Sequence, residues 1–282
     1  SGTDMAPATV QRYETSLKHT RDFVWETYHK KDVLWDEVSR QFIEDYEFWL
    51  KTEKKCCHNT ATKYLKNFKK IIRIALAKGW MKNDPFLEIR FSLDKVEPDF
   101  LEDSEIQKLI SKEIDIPRLS QVRDIFVFCC FTGLAFSDIH GLRKEHIVED
   151  SNGVRWIRKG RQKTKIMCNI PLMEIPLKIL EKYSTNEYCK KHGVLFPVLC
   201  NQKMNAYLKE LADICGIKKT LTTHVGRHTF ATFALANGVS IESVAKMLGH
   251  TNVQMTRHYA RVLDRTVIRE MSQIKMDFHF SM

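Results

Sequence analysis

Residues 224–232 read HVGRHTFAT, residues 248–250 read LGH and residues 256–262 read TRHYARV. His224 and Arg227 lie three apart, so at a helix start they share a face. Gly249 closes a helical pattern, which projects His250 from a turn. Tyr259 stands on a short segment with polar neighbours, outside any apolar stripe. Each residue alone has an ordinary structural reading: a histidine is commonly a satisfied surface group, and a tyrosine at a helix end commonly packs. Together their order and spacing are specific.

The composition around this stretch is that of a globular protein. Of 282 residues, 43% are hydrophobic and 28% charged, which excludes a disordered or collagen-like chain. Lys plus Arg number 45 against 35 Asp plus Glu, a net charge of +10 that favours a polyanionic partner. Nucleic acid comes first among these and an acidic membrane surface second. The longest apolar stretch, Ile125–Leu134, is far short of the ~20 residues of a membrane span. Eight cysteines without a framework spacing, including the adjacent pairs Cys56-Cys57 and Cys129-Cys130, suggest reduced thiols in a cytoplasm.

The pattern predicts a mainly α fold with a small β-sheet. Helices are expected over Ala6–Tyr28, with Thr9 as N-cap, over Asp36–Leu50, and from Asn59 or Thr60 to Gly79. The third places Tyr64, Leu65, Phe68, Ile71, Ile72 and Ala75 on an apolar stripe and Lys63, Lys66, Lys69, Lys70 and Arg73 on the other face. With Lys51, Lys54 and Lys55 upstream, that basic face is either solvated or tracks a phosphate backbone. The periodicity breaks between Phe91 and Phe100, so residues 5–92 and 100–282 are read as two domains joined by a linker over 93–99. Further helices are expected at Glu102–Ser111 (Ser104 as N-cap), Gln121–Phe131, Leu177–Tyr183, Asn201–Cys215, His228–Asn237, Ile241–Leu248, Val253–Val262 and Asp264–Met276, with a pair of strands around a basic turn within Val154–Ile170. There is no Gly-rich phosphate loop, H-E-x-x-H or zinc-type Cys spacing, and His224-x-x-x-His228 lacks a third ligand, so no metal is expected.

On these motifs the chain resembles the tyrosine recombinase (phage integrase) family over most of its length, with phrasing similar to integrases of Bacteroides-type conjugative transposons. The resemblance matches His224, Arg227, His250 and Tyr259 to the family's second box, and Thr132-Gly133-Leu134 with Ser137-Asp138 to its first. Lys163-Thr164 matches its β-strand lysine, and Asn59–Phe86 the end of a helical, SAM-like core-binding domain. It implies an α/β catalytic domain after that core-binding domain, and double-stranded DNA attachment sites as substrate. It also implies a monomer that assembles as a homo-tetramer on DNA, with accessory host or element proteins. Tyr259 becomes the nucleophile, forming a 3′-phosphotyrosyl link and freeing a 5′-hydroxyl that attacks a partner strand through a Holliday junction, without ATP or metal. Leu263–Met282, ending in Phe278 and Phe280, is either the element that reaches between neighbours or a helix packed on its own domain. The resemblance further implies an N-terminal arm-binding domain, so the chain is expected to be part of a longer protein.

One departure matters. The arginine that should follow Thr132-Gly133-Leu134 is Ala135. A phosphodiester accumulates negative charge on its non-bridging oxygens at the transition state, and preorganised cations there are the largest source of rate. Arginine bonds two such oxygens at once. Arg227 supplies one fork, and Arg161 is the candidate for the second, because period two on a strand puts it on one face with Lys163; Arg143, Arg158 and Lys165 are its rivals. His250 and His224 add donors, and His224 is also a candidate acceptor for the tyrosine proton. Lys163 is the candidate general acid and Asp138 a buttress of the basic cluster. A tyrosine hydroxyl, with an ordinary pKa of ~10, needs that cationic setting to react at neutral pH. Lys63, Lys66, Lys70, Arg73, Arg158 and Lys165 are expected to contact DNA, two basic domains forming a salt-sensitive clamp.

Two other readings stand beside this one. The chain could be a DNA-binding protein whose activity went with the first-box arginine, or a type IB topoisomerase-like enzyme. A metal-dependent nuclease or transposase is weaker, for want of a carboxylate constellation.

Overall fold

The computed structural model describes residues 5–259 and 271–272. The chain divides into two units, Ser1–Val96 and Glu97–Met282. Both are built from helices, and the second adds one small sheet.

In the first unit, α1 (Pro7–Tyr28), α2 (Arg40–Thr52) and α3 (His58–Ala77) enclose an aromatic core. Phe23 sits at its centre, edge-on to Phe42 at 5.1 Å and tilted against Tyr46 at 4.9 Å. Leu50, Leu65, Ile72 and Phe86 complete the interior, each burial contributing roughly 1.5–3 kcal/mol. The helix starts differ from the sequence expectation. Ala6 precedes α1, where Pro7 occupies a first-turn position that needs no N–H, so Thr9 lies inside the helix. Cys57 precedes α3, because the Asn59 side chain is instead engaged with the backbone N–H and C=O of Asp94, at 2.8 and 3.0 Å. Ile71 is exposed rather than part of the α3 stripe.

The second unit is organised around α5 (Pro117–Thr132), which follows α4 (Asp103–Ser111) and is apolar on every side in its second half, from Ile125 to Phe131. A helix hydrophobic all round belongs in the centre of a domain, and Leu119, Val122, Ile125, Phe126, Phe128 and Cys130 are all buried. Glu102 precedes α4, and the Glu105 carboxylate accepts the Glu102 backbone N–H at 2.9 Å, so Ser104 is not the cap. After α6 (Phe136–His140) comes an antiparallel sheet in the order β1 (Ile147–Glu149), β2 (Arg155–Gly160), β3 (Met167–Pro171). It has three strands where two were expected. Ile157 of β2 faces Ile147 and Ile170, which fixes the buried face.

α7 (Glu174–Tyr183) and α9 (Asn201–Ile214) pack against α5, with α8 (Glu187–His192) between them in sequence. α10 (Thr223–Ala236), α11 (Ile241–Leu248) and α12 (Gln254–Arg257) carry the motif residues. α10 starts at Thr223 and not at His228, so His224 and Arg227 occupy its first turns. Gly226 faces α5 at close range: a Cβ there would lie 3.2 Å from both Cys129 and Phe126, tighter than an ordinary packing contact. α12 is shorter than the helix expected over Val253–Val262 and leaves Tyr259 in the turn that follows. The helix expected over Asp264–Met276 and the segment Leu263–Met282 lie outside the described residues, apart from Met271 and Ser272. Among the described residues no helix is long and apolar enough to cross a membrane.

Candidate active site

Four segments distant in sequence meet beside the C-terminal ends of α5 and α11. Arg227 is the hub. Its Nη1 donates to Gly133 O at 2.7 Å, and its Nη2 to Leu248 O at 2.7 Å and to His250 Nε2 at 3.0 Å. The Tyr259 hydroxyl lies close enough to interact electrostatically with the guanidinium. The side chain is 2% exposed. Burial lowers its pKa and the neighbouring Arg161 lowers it further, opposed by Tyr259.

A guanidinium can only donate, so His250 Nε2 accepts. Burial, with Arg227 and Arg161 close by, pushes the His250 imidazole down to about 4, so the ring is neutral at pH 7. Its one proton then sits on Nδ1 and donates to Thr256 Oγ1 at 2.8 Å. In this arrangement His250 holds Arg227, and its one N–H is engaged by Thr256.

Tyr259 is buried despite its polar sequence neighbours, packed with Phe230, Ala231, Ala234, Val244 and Leu248. Its ring stacks on His250 at 5.9 Å and leans on His228 at 4.9 Å. His228 in turn meets His224 edge-on at 4.4 Å. In the sequence, His228 figures only as half of a metal-type pair with His224. The outer edge of His224 is open to solvent, yet partial burial of the ring lowers its pKa, with Arg227, Arg161 and Lys163 adding to the effect.

Arg161 lies in the cluster, but not for the reason expected. β2 ends at Gly160, so Arg161 opens a turn and the strand-face argument fails. The turn buries Arg161 to 8% exposure and leaves Lys163 exposed. Arg161 Nε donates to Asp138 Oδ2 at 3.4 Å, while Asp138 Oδ1 accepts the Gln162 N–H at 2.9 Å. The aliphatic stem of Arg161 lies over Gly249, whose φ of +60° and missing Cβ leave the room: a Cβ there would stand 2.7 Å from Arg161 Cδ and 2.7 Å from Cys168 Sγ. Cys168, buried beneath, has its thiol pushed up to about 11 by desolvation. Neither Gly249 nor Cys168 was marked as a neighbour of Arg161 by the sequence.

The rivals Arg143, Arg158 and Lys165 are exposed, and none acts on Arg227, His224 or His250. In the first unit Lys63, Lys66, Lys70 and Arg73 are exposed along α3. Lys70 Nζ donates to Tyr13 Oη at 3.1 Å, whereas Lys51 is paired with Glu47 and Lys54 with Asp22 and Glu26. Among the described residues no group of three His, Cys, Asp or Glu side chains is placed to hold a metal.

This geometry suits phosphoryl transfer: a phenol within electrostatic reach of a guanidinium, a second guanidinium beside it, neutral imidazoles and an exposed ammonium at the rim. Comparison with known proteins agrees. The phage integrase SAM-like domain matches residues 1–96, and the phage integrase family matches residues 99–266. A tyrosine recombinase of Pseudothermotoga lettingae is 29% identical over 265 residues, 91% of this chain and 88% of that protein. Tyrosine recombinase XerD of Oceanobacillus iheyensis is 26% identical over 266 residues, 90% and 87% of the two chains. Among solved structures, a lambda integrase dimer bound to a COC′ core site superposes with a TM-score of 0.74 at 17% identity, covering 94% of this chain and 92% of that one. The Tn1549 transposon integrase in complex with circular intermediate DNA gives 0.73 at 19% identity, covering 95% and 94%. These likenesses establish the fold, and the sequence matches establish the kinship. The chain belongs to the phage integrase family of tyrosine recombinases.

Proposed function

We propose that the protein is a site-specific DNA recombinase of a mobile element, similar to integrases of Bacteroides-type conjugative transposons, and that it breaks and rejoins strands through Tyr259. The observation that carries the reading is the placement of Tyr259 against His250 and His228, within electrostatic reach of Arg227, in a cluster that also contains Arg161. Tyr259 Oη attacks the scissile phosphorus. The Oη–P bond forms, the P–O5′ bond breaks, and Lys163 Nζ protonates the departing oxygen. Neutral His224 is the acceptor in this reading for the phenolic proton. Arg227 and Arg161 hold the non-bridging oxygens, Arg161 standing in for the arginine that Ala135 replaces, and Asp138 orients it. The phosphotyrosyl bond conserves the energy of the phosphodiester, so neither ATP nor a metal is needed.

Exchange of two strand pairs through a Holliday junction requires four protomers on two attachment sites. The wording of the two motif boxes supports the mobile-element assignment. Lys63, Lys66, Lys70 and Arg73 on α3, with Arg158 and Lys165 in the second unit, contact backbone phosphates in this reading. It places the protein in the cytoplasm at the nucleoid, with accessory host or element proteins.

Covalent trapping tests it. The protein is incubated in EDTA with a nicked suicide duplex of its attachment site and run on a denaturing gel. A slow-moving adduct that disappears with Tyr259→Phe is the expected result. Tight binding with no adduct overturns the reading in favour of a DNA-binding protein without activity, and relaxation of supercoils without strand exchange favours a topoisomerase.

A further inference from the structure

The turn between β2 and β3 is short, but it is fastened on both sides of Lys163. It closes on itself through Arg161 N–H to Ile166 O and Lys165 N–H to Arg161 O, each 2.9 Å. On the N-terminal side, the Gln162 N–H is held by Asp138. On the C-terminal side, the half-buried Thr164 donates its hydroxyl to the Gly249 carbonyl at 3.2 Å. Gly249 immediately precedes His250, which holds Arg227. Lys163 therefore sits between two anchors, one from α6 and one from the end of α11, while its own side chain is exposed.

We propose that Thr164 is a positioning residue for strand cleavage: its bond to Gly249 O sets the backbone of Lys163 so that the ammonium meets the leaving 5′-oxygen. The inference rests on the general-acid reading of Lys163 given above. A lysine stem is long and freely rotating, so its aim depends on where its backbone is held. Fixing Lys163 through Gly249 ties the acid to the end of α11, where Leu248 and His250 hold Arg227, and one frame then positions both groups. A 1 Å misplacement of a reacting group is enough to cost orders of magnitude in rate.

Thr164→Val keeps the shape and removes the donor. Single-turnover cleavage is measured on two suicide duplexes, one with the natural 5′-oxygen and one with sulfur at that bridging position. With oxygen, P–O5′ breaks and the alkoxide needs a proton; with sulfur, P–S breaks and the thiolate leaves without one. Thr164→Val is expected to slow the oxygen substrate by about tenfold or more, a fraction of the ~10²–10⁴ that a general acid contributes, and to cleave the sulfur substrate at the unaltered rate. Thr164→Ser, which restores the donor, recovers most of the loss. Lys163→Ala should show the same pattern with a larger loss.

Equal slowing of Thr164→Val on both substrates means that Thr164 serves only the fold and overturns the proposal. So does an unchanged rate on oxygen. If Lys163→Ala is equally slow on both substrates, it is the general-acid reading that fails, and the positioning role falls with it.

Discussion

Arg161 and Asp138 form a buried ion pair: Nε stands 3.4 Å from Oδ2, with the two side chains 10% and 1% exposed. The carboxylate belongs to the first motif box, three residues past Ala135, where the family's arginine is missing, and the guanidinium comes from the β2–β3 turn. The residue that would buttress an arginine in the box thus receives one from elsewhere in the chain.

Replacement of Arg161 by Ala is expected to reduce cleavage by about 10²–10³-fold, the loss typical of one transition-state donor. DNA binding, measured by gel shift, should change little. Asp138 loses a charged partner, so stability should fall by about 1–3 kcal/mol, and the assay belongs well below the melting temperature. The double variant A135R/R161A, which returns an arginine to the box, is expected to regain part of the activity. Normal cleavage by Arg161→Ala removes Arg161 from the chemistry.

Gly249→Ala strikes the same arginine from the other side. The new Cβ would meet Arg161 Cδ and Cys168 Sγ at 2.7 Å, and φ of +60° is strained for alanine. The left-handed conformation alone costs about 1–2 kcal/mol. Denaturant titration should show at least that loss, and cleavage should fall further than the remaining folded fraction explains, because Arg161 is displaced. Activity that follows the folded fraction alone argues against the close contact.

The depressed His250 gives stability a pH dependence of known sign. Its pKa of about 4 in the folded chain lies below the ~6.5 of an unfolded histidine. The unfolded state therefore takes up a proton that the folded state does not. Stability is complete above pH 6.5 and declines as pH falls from about 6.5 toward 4, and His224 acts in the same direction. Unfolding free energies at pH 7.5 and 5.5 should differ less in His250→Gln than in the unaltered protein. Equal differences would mean that His250 titrates normally.

The motif residues and the helices that carry them were legible because they depend on local spacing. His224, Arg227, His250 and Tyr259 required only the order of boxes, and the apolar run Ile125–Leu134 announced α5. What the sequence concealed was nonlocal. Arg161 was selected by strand phase, yet it is a turn that places it, through partners 23 and 88 residues away at Asp138 and Gly249. β1 escaped because three residues carry no period. The start of α10 was expected at His228 and lies at Thr223, and the approach of Gly226 to Cys129 and Phe126 of α5 joins segments far apart in the chain, which local spacing does not register. Tyr259 read as polar because its neighbours in sequence are polar, whereas its neighbours in space are α10 and α11.

The two carbonyls that hold Arg227 carry a consequence for charge. Gly133 caps α5 and Leu248 is the last residue of α11, and each helix finishes in a left-handed glycine. The negative ends of two helix macrodipoles, each equivalent to roughly half an elementary charge, therefore converge on one guanidinium. Among the described residues no carboxylate is paired with Arg227. A side-chain counterion would have to be expelled when a phosphodiester arrives, at the cost of reorganisation during the reaction. Peptide dipoles built into the ends of two helices stay where they are, so the cation keeps its position, and most of its field, for the incoming anion.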